Sequence, residues 1–362
     1  MATTAAAQRQ RAPRDGTRPR RPVALLAAAL TAVLAASALV AIGAGSASIP
    51  PADTAAYLWA SLTGGTIPAD EVGRYQIVWQ IRTPRVLLAA LVGAGLGAMG
   101  VAVQAMVRNP LAEPYLLGVS AGAATGAVAV GVWGGLGALG IYAVSGGAFL
   151  GALAAAAVVY LAAAQSTGLS PLRLVLVGVA MSFAFQAAMS VLVYFAPDAE
   201  AASTVLFWTM GGFGAASWTT LPIVAVAVAA GIAVLARKAR VLDVLSLGEE
   251  TASSLGVDTG RQLAWLLALT SLVTGVMVAA SGAIGFVGLI VPHVVRIAVG
   301  ADHGRVLAVA PLAGAVLMVW IDLASRTLVA PRELPVGAVT ALIGVPVFVY
   351  LLRRRGYLFG GS

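Results

Sequence analysis

Few residues in this chain can do chemistry. Its 362 residues include no cysteine, two histidines (His293 and His303) and one lysine, Lys238. Disulfides, thiolate nucleophiles and thiolate metal sites are therefore excluded. Two histidines are too few for most metal centres. Nothing resembling the phosphate-binding pattern GxxxxGK[ST] precedes Lys238, so any ATP used on behalf of this protein is hydrolysed by another chain. No nucleophile stands beside a base and no carboxylate pair lies within an apolar run, which removes the usual constellations of an enzyme. No metal or cofactor is expected. What remains is a set of isolated polar residues in apolar surroundings: Gln104, Gln186, His293 and Asp322. Asp322 is a functional candidate by its setting, though a pair with Arg326 at i, i+4 is the simpler account. The glutamines fit gluing of helices better than lining of a path. His293, after Pro292 and one turn before Arg296, reads as a structural hydrogen-bonder.

The elements that hold these residues are apolar. The chain is 60% hydrophobic and 10% charged, against about 25% charged in soluble domains, which makes it an all-α polytopic membrane protein. A spanning helix needs roughly 20 apolar residues. Ten runs qualify: 22–47, 84–106, 115–135, 139–164, 172–195, 219–236, 262–281, 285–300, 306–328 and 336–352. The seventh and eighth are nearly continuous, and Ser281, Gly282, Gly285 and Gly288 mark the break between them. Small residues spaced as in GAGLGAMG, Gly93 to Gly100, let helices approach closely. Residues 1–21 carry six arginines among Pro and Gly, which predicts a disordered basic tail. The following run, Val23 to Ala44, is longer than the 7–15 residues of a signal-peptide core, so it is expected to stay as the first span.

The net charge of +8 raises nucleic acid as a partner, but the charges cluster at the ends of apolar runs and favour a lipid bilayer instead. With ten spans and an internal N-terminus, seventeen Lys and Arg fall inside and five outside: Arg74, Arg82, Arg85, Arg326 and Arg332. Basic residues collect on the cytoplasmic side, so both termini are expected there, in a multi-pass protein of the cytoplasmic membrane. The polar stretch MVRNPLAEPYLLG, Met106 to Gly118, then reads as a tight cytoplasmic turn. Asn109-Pro110 starts it, Pro114 stops helix beyond it, and Glu113 is placed to cap. The longest inner loop, Arg237 to Gln262, alternates Leu245, Leu247 and Leu255 with Asp243, Glu249, Glu250 and Ser253. It predicts short amphipathic helices at about 240–258, punctuated by Gly248 and Gly256. A protein that only spans a membrane needs no such element; one driven by a soluble motor does.

Five stretches together resemble one family, the iron–siderophore and vitamin B12 permeases of bacterial ABC importers, the FecCD group. They are WQIRTPRVLLAALVGAGLGAMGVAVQAMVRNPLAEPYLLGVSAGA (Trp79–Ala123), WTMGGFGAASW (Trp208–Trp218), LSLGEETASSLGV (Leu245–Val257), GAIGFVGLIVPHVVRI (Gly282–Ile297) and ELPVGAVTALIGVPVFVYLL (Glu333–Leu352). The resemblance covers about residues 22–355; the basic tail and residues 357–362 lie outside it. It implies a vitamin B12 importer-like permease fold of about ten transmembrane helices in one domain, 22–356. It also implies a second permease subunit, identical or paralogous, with the substrate path between the two, a dimer of ABC ATPases, and an extracytoplasmic substrate-binding protein. Carried over by position, ATPase coupling falls on Leu247, Gly248, Glu249, Ala252 and Gly256. The cytoplasmic gate falls on Asn109 and Leu111, with Ser170 in a second segment, GLSPLRL, where Pro171 departs from the hydroxyl residue common in the family. Binding-protein docking falls on Arg82, Arg85 and Arg326, with snorkelling to lipid phosphate or a local pair with Asp322 or Glu333 as the alternative for the outer arginines; Arg332 departs from the pattern and has no assigned role. Ferric siderophore is the first expectation for cargo, with vitamin B12, haem or another metal chelate as alternatives. An ion-coupled secondary transporter is the competing class. It calls for acids or broken helices at mid-membrane, for which Asp322 alone qualifies, and it leaves the amphipathic loop unexplained.

Overall fold

A computed structural model describes residues 20–45, 48–164, 169–196 and 208–354 of the chain. Residues 1–19 of the expected 1–21 tail, Gly168 of the second gate segment and the C-terminal residues from 355 lie outside the described residues, and Arg20 and Arg21 begin the first helix instead of ending the tail. Those described form helices and no strands. We number the helices α1 (Arg20–Gly43), α2 (Pro51–Thr63), α3 (Val72–Val107), α4 (Val119–Trp133), α5 (Ala143–Ala163), α6 (Pro171–Tyr194), α7 (Leu221–Arg237), α8 (Ala239–Ser246), α9 (Glu249–Ser254), α10 (Thr259–Ser281), α11 (Val287–Val299), α12 (His303–Thr327) and α13 (Val336–Arg354).

Six of these (α1, α3, α5, α6, α10 and α12) are long and apolar enough to cross a membrane singly. α7, one residue short of that length, is followed by α8 at a bend of 62° at Lys238. Three shorter apolar helices, α4, α11 and the apolar part of α13, complete ten apolar segments at the ten expected runs.

The organising element is α3. Nearly every residue from Thr83 to Met106 is buried, because neighbours surround this helix on all sides. Glycine makes that possible. A Cβ on Gly93 would stand 2.2 Å from the carbonyl oxygen of Gly314 in α12, and one on Gly100 would stand 2.0 Å from that of Gly288 in α11. Backbones that close gain dispersion contact where no hydrophobic force drives helices together.

Two features depart from the sequence expectation. The stretch between the first two spans is not a plain loop. It contains α2, whose Thr54 and Tyr57 are buried while Trp59 and Leu62 face out, and the Tyr57 hydroxyl donates to Glu71 Oε2 at 3.0 Å. α3 itself starts at Val72, twelve residues before the expected second span, and passes through a π-helical turn at Ile77–Arg82. A wider turn of this kind often marks functional sites.

The second departure is the polar stretch. α3 ends in a Schellman-type cap: Arg108 adopts φ 55°, and the Asn109 N–H reaches back to the Gln104 carbonyl. The chain does not stay at this end. It runs back along α3 to Pro114, which stands close to Gly288 at the level of Leu96. Leu96 lies eleven residues before the end of α3, about 16 Å at 1.5 Å per residue. The stretch is therefore a re-entrant segment and not a tight turn at one surface. This also explains why α4, with 15 residues, is shorter than a full span.

Candidate functional site

The face of the bundle rich in basic residues (Arg108, Arg237, Lys238, Arg240, Arg261, Arg305) carries the amphipathic loop. It folds as expected into two short helices, α8 and α9. Leu242 and Leu245 are buried, whereas Leu247 is 62% and Leu255 is 60% exposed. Gly248 sits between the helices at φ 108°, ψ 162°, a conformation open essentially to glycine alone. Gly256 closes α9 at φ 79°. Glu249 and Glu250 stand exposed in the first turn of α9, where negative charge is favoured. Of the five residues assigned to coupling, Leu247, Glu249 and Gly256 are at the surface, Gly248 shapes the turn, and Ala252 is fully buried. Ala252 thus packs α9 onto the bundle and offers nothing to a partner.

Behind this loop lies a cavity of about 450 Å³, lined by residues that include Arg108, Asn109, Asp243, Leu247, Arg296 and His303. It brings the candidate gate residue Asn109 against α8. The Asn109 side-chain oxygen accepts from the Leu111 N–H at 2.9 Å, so Asn109 and Leu111 form one Asx-type turn. Pro171, at the start of α6, lines a crevice with Arg108, Leu245 and Glu249, which brings the second gate segment to the same place. Ser170 is the N-cap residue of α6, with no side-chain capping bond.

Sequence reasoning missed how this region is tied down. The His303 ring nitrogen Nδ1 lies 2.6 Å from Asp243 Oδ1, which also accepts the His303 backbone N–H at 3.0 Å. This fixes α8 to the start of α12. Sixty residues separate the partners, and no local pattern marks such a pair. Gln104 behaves as the expected glue: its amide donates to the carbonyls of Gly288 and Leu289 at 3.3 and 3.2 Å, and its oxygen accepts from Arg296. His293 is buried and engaged with its surroundings. Gln186 is exposed on α6.

At the opposite end, Arg82, Arg85 and Arg326 are 6%, 7% and 8% exposed. Arg85 donates to Asp322 at 2.8 Å and forks onto both oxygens of Glu333 at 2.8 and 2.9 Å. Arg326 takes the other Asp322 oxygen at 3.2 Å, realising the i, i+4 pair, and also reaches the carbonyls of Ala41 and Ala44. Arg82 donates to the carbonyls of Ile42 and Gly43 at 3.1 and 2.8 Å. Two of these sets close the C-terminal end of α1, whose last carbonyls have no helical partner. The three guanidinium groups point into the chain, and the exposed charges at this end include Asp70, Arg74, Arg332 and Glu333.

Ten apolar helical segments packed around a glycine-lined centre, with an amphipathic helix pair on one basic face, define a polytopic membrane protein. The chain matches the FecCD transport family over residues 32–354, and it belongs to that family: it is a multi-pass permease subunit of an ABC importer. It is 41% identical over 281 residues to the hemin transport system permease protein HmuU of Yersinia pestis, covering 77% of this chain and 84% of that protein. It is 43% identical over 279 residues to the cobalamin import system permease protein BtuC of Halobacterium salinarum, covering 77% and 74%. Among solved structures it resembles an inward-facing conformation of a metal-chelate type ABC transporter, with TM-score 0.79 and 32% identity over 92% of this chain and all of that one.

Proposed function

We propose that this permease carries a ferric siderophore across the cytoplasmic membrane. In this reading it pairs with a second permease subunit, is driven by two ATPase subunits, and is supplied by an external binding protein. The observation that carries the coupling part is the helix pair α8–α9, with Leu247 and Leu255 exposed on a face otherwise polar. Two exposed leucines flanked by Glu249 and Glu250 suit insertion into a groove of a soluble partner. The basic face is then cytoplasmic, and the Arg85–Asp322–Arg326 cluster faces the other side, where it orders the surface on which a binding protein docks. Asn109 and α8 line one cavity, so movement at α8 changes the space open to the Asn109–Leu111 turn. That turn and the Ser170 segment form the gate.

One relative is named for molybdate import; the cargo reading rests on those whose names refer to hemin, cobalamin and a metal chelate. All are metal ions wrapped in organic ligands. The cargo presents an organic surface, so a path lined by alanine, glycine and apolar side chains suits it. Siderophore is chosen within that class; haem and vitamin B12 are its competitors. The test is uptake of labelled iron as a panel of ferric siderophores, with labelled hemin and vitamin B12 beside it, in cells lacking the chain and in cells with it restored. Loss of one siderophore, recovered on restoration, supports the reading. Intact siderophore uptake with loss of hemin or B12 replaces the cargo.

A further inference from the structure

The re-entrant segment has two ends. Arg108, Asn109 and Pro110 line the cavity shared with α8. Three residues past Pro110, Glu113 is buried, with 7% of its surface exposed. Its Oε2 accepts the backbone N–H of Phe286 at 2.7 Å. A buried carboxylate is costly unless its hydrogen bonds repay the loss of water, and an apolar side chain would fill this space without that cost. The bond it makes is placed at a special point. Phe286 is the N-cap residue of α11 and holds φ 67°, a left-handed backbone conformation that strains a non-glycine residue. Its Cβ is pressed so closely on α13 that a Cβ on Gly344 would stand 2.6 Å away. The positive end of the α11 dipole favours a carboxylate there.

The break around Phe286 is also where several segments meet. The Ala283 N–H donates to the Trp208 carbonyl, the Gly212 N–H to that of Ser281, and the Val336 N–H, at the start of α13, to that of Gly211. Glu113 brings the re-entrant segment into this junction. At the other end of α11, Arg296 bonds Gln104 of α3 and lines the cavity by α8. The segment and α11 therefore form a closed loop of contacts.

We propose that Glu113 is a positioning residue for transport: a latch through which the gate segment and the α10–α11 break move as one unit. This rests on the reading of Asn109 and Leu111 as the gate. With the latch made, a shift at Asn109 is transmitted to Phe286 and α11. With it cut, the segment moves alone, and ATP is spent without matching delivery of cargo. Glu113→Gln keeps an oxygen that accepts the Phe286 N–H. Glu113→Ala removes it, and Glu113→Asp withdraws it by one methylene.

The chain has no cysteine, so one introduced thiol reports alone. The experiment places Arg108→Cys, an exposed position beside the gate, in the complete importer in lipid nanodiscs made with cysteine-free partners. It compares the rate of maleimide labelling without nucleotide and with ATP plus vanadate. ATP hydrolysed per labelled ferric siderophore delivered, using the siderophore whose uptake depends on this chain, is measured on the same variants in proteoliposomes. The wild-type background is expected to show a nucleotide-dependent ratio of labelling rates. Glu113→Gln keeps it; Glu113→Ala loses it and raises the ATP used per cargo. If Glu113→Ala does not assemble, Glu113→Asp carries the same expectation. A ratio unchanged in Glu113→Ala or Glu113→Asp, with normal coupling, overturns the latch and leaves a plain helix cap. A flat ratio in the wild-type background overturns the gate reading itself, and the latch with it.

Discussion

Replacing Asp322 by Asn tests the inward arginine cluster. The Asp322 side chain is 0% exposed and sits between Arg85 at 2.8 Å and Arg326 at 3.2 Å, whose side chains are 9% and 6% exposed. Asparagine keeps the shape and removes the charge. Cutting one partner out of a buried ion pair costs about 3–5 kcal/mol, because a charge is left buried without compensation. Arg85 keeps its fork on Glu333, and Arg326 keeps two carbonyls, so the low end, about 3 kcal/mol, is the expectation. Glu333→Gln is the control. That side chain is 51% exposed, and an ion pair so open to solvent is worth about 0–1 kcal/mol. At about 2 °C of melting temperature per kcal/mol, Asp322→Asn should melt about 6 °C below wild type and Glu333→Gln within about 2 °C. The assay is thermal unfolding of the purified permease in one detergent, both variants beside wild type. Equal shifts, or no shift for Asp322→Asn, would refute the claim that this cluster holds the helix ends together.

Two further outcomes follow from packing and topology. Gly93→Leu places a side chain where even a Cβ meets the Gly314 carbonyl at 2.2 Å, so α3 and α12 must separate; folded yield by size-exclusion chromatography should collapse, while Gly73→Leu, with nothing within 4 Å, should express normally. For orientation, single cysteines at Leu62 of α2 and Ser254 of α9, both exposed, should react with a membrane-impermeant maleimide from opposite sides. The Leu62 position should label in intact cells and the Ser254 position only after lysis; the reverse would invert the assigned topology.

Much of this fold is legible because each span announces itself by composition. The ten apolar runs correspond to ten apolar helical segments, and the glycines of Gly93 to Gly100 do pack helices. The loop at 240–258 was readable from its leucine and acid alternation, and it forms α8 and α9. What the sequence hides is depth and direction. Hydropathy sees the polar stretch at Met106–Gly118 as a turn at one surface. It cannot show the chain returning to the level of Leu96, because that path is set by Pro114 resting on Gly288, far away in sequence. The same limit applies to the arginines. A positive charge at a span end reads as surface; the i, i+4 spacing marks the Arg326–Asp322 pair, and the fold adds that Asp322 is buried and shared with Arg85. Ala252 matched the coupling pattern by position, yet its small side chain is what lets α9 lie against the bundle. Asp243 with His303, and Glu113 with Phe286, are tertiary pairs that no spacing rule marks.

The central claim is that α8–α9 transmits the work of a soluble ATPase to this membrane subunit. Leu247→Asp tests it most directly, because Leu247 is 62% exposed and a surface substitution should alter the fold by no more than about 0.5 kcal/mol. The measurement is ATP-dependent uptake of labelled cargo into proteoliposomes holding the full importer, with ATPase association read by co-purification. The account predicts an unchanged melting temperature, with both association and uptake lost. Normal ATP-driven uptake by Leu247→Asp would contradict it.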